Sequence, residues 1–320
     1  MRTEKIVLIA GGAGSVGGAL AERLVCAGSK GIVLVDKNEN GLELLRLRLA
    51  DKGFNNITMY VGDIRNLYQL NRIFSKHLPD VILNCAAHKH VVSGEKNIAE
   101  TTRNNLLTTY NLLKVRQKNP DSKFVLISTD KAVEPTSVMG ASKMLCESMV
   151  RDEYPKTKDR NYIIRFGNVA NTQGSVLEIW GRQFKEGLPL TVTDLKMKRW
   201  MMSIDDACEQ IQRVIGLEAG TYILDMGKMF TVADMLEKFL DSKDSHDYPL
   251  KFVGAKPGEK GVEKLFWDVE DVTELKAGTR TINRVKCSPS FDYHKALIAS
   301  KTFDDDATMK CLRKQFGGMK

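Results

Sequence analysis

Several features that would place the chain in a membrane, a secreted protein or a nucleic-acid complex are absent from it. No apolar run approaches the ~20 residues needed to cross a bilayer. Met1 to Lys5 lead straight into a short strand-like segment instead of a signal peptide. The six cysteines are scattered and include no Cys-x-x-Cys pair, which favours reduced thiols over disulfides or a zinc site. We therefore expect a cytoplasmic protein without a membrane contact.

Aromatic residues are also few, at 7% of the 320 residues. The net charge is +8, but the basic residues are dispersed, whereas nucleic-acid binding requires a basic cluster with aromatic residues within it. Nucleic acid is therefore not an expected partner. A solvated basic surface is the simplest interpretation, and it is compatible with an anionic small substrate such as a nucleotide sugar.

The first half contains a regular alternation of short β-branched runs and longer amphipathic segments. Because such alternation is typical of βαβ units, it predicts an α/β fold with a Rossmann-type, doubly wound parallel sheet. The strands should be buried on both faces, since they are apolar throughout. Strands are predicted at 5–10, 31–36, 57–61, 80–85, 123–128 and 161–166, and helices at about 15–27, 40–52, 66–77, 97–118 and 139–153.

After residue 167 the alternation breaks down, which predicts a Rossmann domain at 1–166 and a smaller mixed α/β, substrate-binding cap at 167–320. Some segments of the cap are expected to return to the first domain. The cap should contain helices at 175–187, 204–216 and 232–241, with strands near 190–193 and 222–225. Residues 304–320 have no clear pattern.

A glycine-rich turn joins the first predicted strand to the first predicted helix. Gly11, Gly14 and Gly17 have the Gly-x-x-Gly-x-x-Gly spacing that allows a tight turn, close approach to a pyrophosphate and close helix–strand packing. The free N–H groups at the start of the helix, around Ser15 and Val16, would bind that anion. A plain glycine turn is the alternative, but the strand–turn–helix context favours a dinucleotide site.

The second predicted strand ends at Asp36, 19 residues after Gly17. A carboxylate at this point accepts hydrogen bonds from the adenine ribose and repels a 2′-phosphate, which favours NAD over NADP. The adjacent Lys37 weakens that preference. Further positions predicted to contact the cofactor follow the third and fourth strands: Asp63, Ile64, Ala86 and Ala87.

A polar cluster follows the fifth predicted strand, at the sheet edge where ligands bind in open α/β folds. Thr129, Asp130 and Lys131 lie there. In short-chain dehydrogenases a strand-end Ser or Thr is followed by Tyr-x-x-x-Lys on the next helix. Here the lysine is Lys143, but Met139 occupies the tyrosine position, and a thioether cannot carry a proton. Either the chemistry was lost, or it moved to the Asp–Lys pair.

These segments resemble the nucleotide-sugar 4,6-dehydratases of the extended short-chain dehydrogenase/reductase superfamily. More narrowly, they resemble the UDP-N-acetylglucosamine 4,6-dehydratases of capsule and protein-glycan biosynthesis. The resemblance implies a Rossmann fold, bound NAD and a UDP-sugar substrate. It rests on segments in family order from residue 6 to about 265, namely 11–17, 87–91, 104–105, 127–143, 164–169, 174–176, 199–202, 224–227 and 257–260.

The resemblance also implies a role for each polar residue. NAD takes a hydride from C4 of the sugar, water is eliminated across C5 and C6, and the hydride returns to C6. Thr129 would hydrogen-bond the C4 oxygen, Asp130 would protonate the departing C6 hydroxyl, and Lys131 would remove the C5 proton. Lys143 would orient the nicotinamide ribose. A lysine base must be neutral, so burial and the charges of Lys143 and NAD are expected to lower the pKa of Lys131.

Met139 matches a subgroup of these dehydratases that carries methionine at this position and is associated with retention of configuration at C5. By this resemblance Asp130, directly or through water, is the candidate acceptor of the C4 hydroxyl proton. The alternative is an inactive homologue with an Asp–Lys ion pair at a strand end. The persistence of the substrate motifs favours an intact site.

Candidate ligands of the nucleotide sugar lie in the matching segments. Arginine offers forked donors to a diphosphate, although a structural hydrogen bond is an equal alternative for each residue. His88-x-His90 could indicate a metal, but no third ligand is evident and none is expected. The candidates are Lys89, His90, Asn104, Arg165, Asn168, Ser175, Val176, Arg199 and Glu259.

The sequence therefore predicts a lyase that converts UDP-N-acetylglucosamine to a UDP-2-acetamido-2,6-dideoxy-4-keto-hexose. A nucleotide-sugar 4-epimerase is the nearest alternative, although epimerases need no Asp–Lys pair. A non-catalytic NAD-binding sensor or interaction protein is a third. A homo-oligomer is expected through the helices predicted at 97–118 and 139–153, which related enzymes pair into a four-helix bundle.

Overall fold

The computed structural model describes residues 5–54, 57–153, 160–278, 280–317 and 319. The strands are β1 (Ile6–Ala10), β2 (Gly31–Asp36), β3 (Ile57–Val61), β4 (Val81–Asn84), β5 (Lys123–Ile127), β6 (Asn161–Arg165), β7 (Asn168–Val169), β8 (Leu190–Val192), β9 (Lys198–Met202), β10 (Gly220–Ile223), β11 (Met229–Thr231), β12 (Leu250–Phe252), β13 (Asp271–Ala277) and β14 (Arg280–Lys286).

The helices alternate with these strands and also form the C-terminal part of the chain. They are α1 (Ser15–Cys26), α2 (Glu39–Asp51), α3 (Leu67–His77), α4 (Val91–Lys96), α5 (Ile98–Arg116), α6 (Val138–Asp152), α7 (Val176–Lys185), α8 (Ile204–Ile215), α9 (Val232–Asp241), α10 (Tyr293–Lys301) and α11 (Asp305–Gln315). Among the described residues, no helix combines the length and apolarity needed to cross a bilayer.

The central sheet has the strand order β13-β14-β10-β6-β5-β4-β1-β2-β3. Its strands from β10 to β3 are parallel, while β14 and β13 add an antiparallel edge. Because β1 lies between β2 and β4, the order of winding reverses there, which opens a crevice at the carboxyl ends of these strands. The Rossmann-type α/β prediction is confirmed.

The inner strands β1, β2, β4, β5 and β6 are buried on both faces, as predicted, whereas the edge strand β3 has only partly buried or exposed residues, so the prediction was wrong there. Along β1, Val7 and Ile9 belong to the core on one face of the sheet, whereas Leu8 and Ala10 belong to the core on the other. Successive side chains of a strand point to opposite faces, so a strand covered on both sides must be apolar at every position. β5 shows the same alternation.

Several helices begin where a hydroxyl side chain accepts a hydrogen bond from the first turn. Ser137 does so for α6 and Ser203 for α8. At α9, Thr231 and Asp234 form a reciprocal capping box. Such caps pair N–H groups that have no partner within the helix.

Two small sheets lie after β6. One has the order β11-β9-β7 and the other pairs β12 with β8. The first brings Asn168 of β7 alongside Met201 of β9. Strands β10, β13 and β14 from the second half of the chain extend the central sheet itself.

The C-terminal helices α10 and α11 had no counterpart in the sequence prediction, and they pack on α5 and α6. Leu297, Met309 and Leu312 join the core beneath them, and Asp305 accepts a hydrogen bond from Ala99 at the start of α5 (2.7 Å). Helices of the same chain thus cover this face of α5 and α6. Pairing of α5 and α6 with a second copy stays a prediction.

Candidate active site

The turn between β1 and α1 has the geometry that its glycines predicted. Gly11 has a φ of +80°, and a Cβ there would lie 2.7 Å from the backbone N of Ala86. A Cβ at Gly17 would overlap the carbonyl oxygen of Gly11. No side chain caps the N-terminus of α1, whose N-cap is Gly14, so its first N–H groups face the crevice. Ser15 is already engaged, because its Oγ accepts a hydrogen bond from the Gln173 N–H (3.1 Å).

A groove begins at this turn and follows the carboxyl ends of β2, β3 and β4. Asp36 orders its rim: Oδ2 accepts from the N–H of Ala13 (3.0 Å) and Oδ1 from that of Asn38 (2.9 Å). Each carboxylate oxygen keeps a second lone pair for a ligand. The described lining residues are Gly11, Gly14, Val35, Asp36, Lys37, Gly62, Asp63, Ile64, Cys85, Ala86, Ala87, His88, Asn104 and Thr108.

The groove residues fit a dinucleotide. The close approach at Gly11 and the overlap at Gly17 leave a backbone-lined cradle at a helix N-terminus, which suits a pyrophosphate. Val16 is partly buried and packs on the core behind this turn. Ala86 and Ala87 have small side chains, which leave room for a ligand along the bottom of the groove.

Asp63, which follows β3, is paired with an arginine of the same loop. Asp63 forms an ion pair with Arg65 (2.7 Å), and Arg65 also pairs with Glu100 (2.5 Å). Burial raises the pKa of Asp63, but the bonds and charge of Arg65 outweigh burial and leave it below its ordinary value. Asp63 is therefore a carboxylate on the groove wall. Burial and Lys37 lower the pKa of nearby His88.

The predicted catalytic residues lie together just beyond β5. Asp130 begins a 3₁₀ turn and is fully buried. The Thr129 hydroxyl donates to Asp130 Oδ1 (2.8 Å), and Lys131 Nζ donates to the same oxygen (3.0 Å). Lys131 Nζ also donates to Asn168 Oδ1 (3.1 Å). Asp130 Oδ2 is buried without a hydrogen-bond partner among the described residues, so it has capacity for a proton or a ligand hydroxyl.

The pKa of Lys131 corrects one expectation. Burial lowers this pKa, but the charges of Asp130 and Glu263 and the hydrogen bond to Asp130 outweigh burial and raise it above its ordinary value. The neighbouring cation that opposes them is Arg199. In this state of the site Lys131 is thus an ammonium rather than a free amine.

Lys143 and Met139 lie on α6, next to this cluster. Lys143 Nζ donates to the Ile127 carbonyl at the end of β5 (2.6 Å), and burial lowers its pKa. Met139 is 3% exposed and packs close to Gly94 of α4. Met139 is therefore a buried residue where α6 meets α4.

A second group of predicted residues surrounds the start of α7. Ser175 caps this helix, and Val176 is its first residue. His90 lies directly against Gly174. Burial lowers the pKa of Lys89, while Glu178 opposes this. These residues lie where the loop before α7 meets the loop before α4.

Three further candidates lie near Lys131 or on its approach. Asn168 accepts from Lys131, as described. Arg199 is half-buried and donates to the Lys198 carbonyl (2.9 Å) and the Gly261 carbonyl (3.3 Å). Glu259 accepts from the Lys256 N–H (3.0 Å) within its own turn.

Arg165 is not a ligand of the substrate. Its side chain is 0% exposed and pairs with Glu147 (2.6 Å) and Glu270 (2.7 Å). Since Nε and Nη2 donate to Glu147 and Nη1 donates to Glu270 inside the core, the residue joins β6 to α6 and to the segment before β13. The sequence prediction for Arg165 was wrong.

The structure adds residues that sequence reasoning did not select. Asn105 connects the groove to α6, because its Nδ2 donates to Ser142 Oγ (2.8 Å) and its Oδ1 accepts from the His88 N–H (2.8 Å). Glu95 accepts from the Val138 N–H at the start of α6 (2.8 Å). Glu263 lies beside Lys131 (3.9 Å). Asn105 adjoins a predicted residue, whereas nothing in the local sequence marks Glu263.

Comparison with known proteins shows which family the chain belongs to. Residues 7–284 match the family described as "Polysaccharide biosynthesis protein". The chain belongs to this family. It is 33% identical over 270 residues to the Staphylococcus aureus "Capsular polysaccharide biosynthesis protein CapD", an alignment that covers 82% of this chain and 45% of that protein. The chain thus spans about half the length of this curated relative.

Two other similar proteins align with this chain over most of their own length. The X-ray structure of Pen from Bacillus thuringiensis is 30% identical, with a TM-score of 0.80 over 90% of this chain and 89% of that one. A Rickettsia canadensis "UDP-glucose 4-epimerase" is 30% identical over 276 residues, which is 83% of this chain and 78% of the epimerase.

Proposed function

We propose that this polysaccharide biosynthesis family member is an NAD-dependent nucleotide-sugar 4,6-dehydratase acting on UDP-N-acetylglucosamine, with retention at C5. The observation that carries the proposal is the buried, hydrogen-bonded set Thr129, Asp130 and Lys131 at the carboxyl end of β5. Elimination of water needs both an acid and a base, and this set contains one of each. Met139 offers neither.

Each residue of the set has a step that its geometry supports. Thr129 holds the C4 oxygen and, through its bond to Asp130 Oδ1 (2.8 Å), connects the C4 hydroxyl proton to that carboxylate. Protonated Asp130 then donates to the departing C6 hydroxyl. Lys131, as the free amine, removes the C5 proton. NAD, when bound, accepts a hydride from C4 and returns it to C6.

The surrounding residues would bind and orient. The uncapped start of α1 would hold the pyrophosphate of NAD, and Asp36 would accept from its adenine ribose, which favours NAD over NADP. Asn168 and Arg199 would meet the UDP-sugar. The positive side chains of Lys89 and Arg199 suit its diphosphate.

The test is incubation of the full chain with NAD and UDP-N-acetylglucosamine, followed by mass spectrometry and NMR. Loss of one water without net change in the redox state of the cofactor is the expected result, and the C5 coupling reports retention. Lys131→Ala should abolish elimination and spare NAD binding. Exposed Lys264 supplies the matched control, Lys264→Ala. Full elimination by Lys131→Ala would contradict the assignment.

A nucleotide-sugar 4-epimerase is the second candidate, because the Rickettsia relative is similar over most of its length. Epimerisation moves hydride off C4 and back, and requires no acid at C6. The same experiment separates the two functions, since an epimerase yields an isomer of unchanged mass. Cofactor binding without turnover of any nucleotide sugar would indicate a sensor instead.

A further inference from the structure

Glu263 is a buried acid in the candidate site that the steps above leave without a role. It is 4% exposed, and its Oε2 has no hydrogen-bond partner among the described residues. Burial raises its pKa above the ordinary value. A carboxylate kept out of water and left without a bonded donor is costly, so its presence needs an explanation.

The backbone around Glu263 is fixed against β9. Val262 forms a parallel bridge with Lys198, and the Glu263 carbonyl accepts from Trp200 Nε1 (3.2 Å). Trp200 also packs on Gly167, where a Cβ would lie 2.6 Å from the Trp200 Cβ and 3.1 Å from Asp130 Oδ2. The two segments thus bring the acid beside the turn that follows β5.

Four charged groups face Glu263. Its Oε1 is 3.9 Å from Lys131 Nζ, and its Oε2 is 3.7 Å from Lys260 Nζ. Asp130 and Arg199 act on it at longer range. Of these groups, Lys131 is the one that must lose a proton before it can act as a base. The contact with Lys131 is about 1 Å longer than a hydrogen bond, so proton transfer between the two requires a side-chain rotation that closes this gap.

We propose that Glu263 is a positioning residue that accepts the ammonium proton of Lys131 and so prepares the free amine for C5 deprotonation. This inference rests on the proposed function. Asp130 is unsuited to the task, because it must hold a proton for the C6 hydroxyl and cannot hold two. Glu263 has the spare oxygen, the proximity and the shielding from water.

The proton count closes without any further reactant. An Nζ–H bond of Lys131 breaks and an Oε–H bond of Glu263 forms, which turns an ion pair into two neutral groups. Lys131 then forms a new Nζ–H bond as the C5–H bond breaks. When the hydride is added at C6, Lys131 returns its new proton to C5, and the proton on Glu263 then moves back to Lys131, which restores the ion pair. No electrons are transferred to or from either residue.

The test is the pH dependence of C5 hydrogen exchange in heavy water, followed by mass spectrometry of the 4-keto product. In the wild-type chain the ion pair and the neutral pair contain the same number of protons, so the exchange rate should be flat from about pH 6 to 8. In Glu263→Gln the proton must go to water, and the rate should rise about tenfold per pH unit. Glu263→Asp keeps an acid and a flat profile, as does the exposed control Glu274→Gln. A flat profile in Glu263→Gln overturns the proposal.

A second measurement does not depend on turnover. The pKa of Lys131 is read from the pH dependence of its labelling by an amine reagent, quantified on the peptide. Loss of the adjacent carboxylate should lower this pKa by about 1 to 3 units in Glu263→Gln, and Glu274→Gln should leave it unchanged. If the pKa of Lys131 shifts but the protein turns over no sugar, the proposed dehydratase activity is refuted while the coupling between Glu263 and Lys131 is supported. If Glu263→Gln dehydrates the sugar normally and the pKa of Lys131 does not shift, only the proposed role of Glu263 is refuted.

Discussion

The buried ion pairs of Arg165 yield the largest stability effect that the structure allows us to quantify. Glu147 receives hydrogen bonds from Arg165 Nη2 (2.6 Å), Arg151 Nη1 (3.1 Å) and Ser128 Oγ (2.6 Å). Burial raises the pKa of Glu147, but Arg165, Arg151 and Ser128 outweigh it and lower the value from 4.5 to about 2. At about 1.4 kcal/mol per pKa unit, this corresponds to about 3 kcal/mol of stability at neutral pH.

The substitution Glu147→Gln removes the charge and keeps the shape. It should lower the free energy of unfolding at pH 7 by about 3 kcal/mol, in line with the ~3–5 kcal/mol cost of breaking a buried pair. Because the folded pKa is depressed, the stabilisation is complete above pH 4.5 and is lost as the pH falls towards 2. The difference between wild type and variant should therefore shrink in that window.

The measurement is urea unfolding of both proteins at pH 7, 5, 4 and 3. The matched control is Glu186→Gln, in a pair whose side chains are 62% and 46% exposed. Its effect should stay below about 1 kcal/mol. The reasoning is refuted if Glu147→Gln costs no more than the control, or if its cost stays constant down to pH 3.

Three further outcomes are expected. Gly17→Ala should abolish NAD binding in a fluorescence titration, since its Cβ would overlap the Gly11 carbonyl oxygen; unchanged affinity would contradict the cradle. Gly167→Ala should lower kcat and leave NAD affinity unchanged, because its Cβ would press on Trp200 and Asp130; an equal kcat in steady-state assays would oppose this. Leu312→Ala should destabilise the chain by about 2–5 kcal/mol in thermal or urea unfolding, as Leu312 is a fully buried residue of α11; a neutral result would mean that α11 does not cover α5 and α6 in solution.

Features that depend on local sequence were the ones that could be predicted. The glycine turn is such a case, because spacing between neighbours determines whether a helix can begin against a tight turn. The strands of the central sheet were also predictable, since burial on both faces demands apolar residues at every position. Helix α11 was not, because its segment is polar and only Met309 and Leu312 mark its buried side.

Features that depend on distant partners were missed or misread. Arg165 ends a strand next to the site, and its sequence context does not distinguish a ligand-binding arginine from a buried one. Its partners are Glu147 on α6 and Glu270, 105 residues away. A charge enters the core only when such partners exist, and partner identity is a property of the fold rather than of the local pattern.

The replacement of tyrosine by Met139 illustrates what the fold adds. A tyrosine and lysine on α6 would handle the protons of C4 oxidation within one helix, and sequence reasoning looked for a substitute nearby in the chain. In the structure, Lys131 instead faces two carboxylates, Asp130 and Glu263, the second more than 130 residues later. When ionised, the two carboxylates and the two ammonium groups of Lys131 and Lys260 together carry no net charge. One proton can therefore move within this set of four without creating an unpaired buried charge. A site that must donate one proton and accept another in a single elimination requires that property, and it arises only because β9 and the segment through Glu263 pack against the turn after β5.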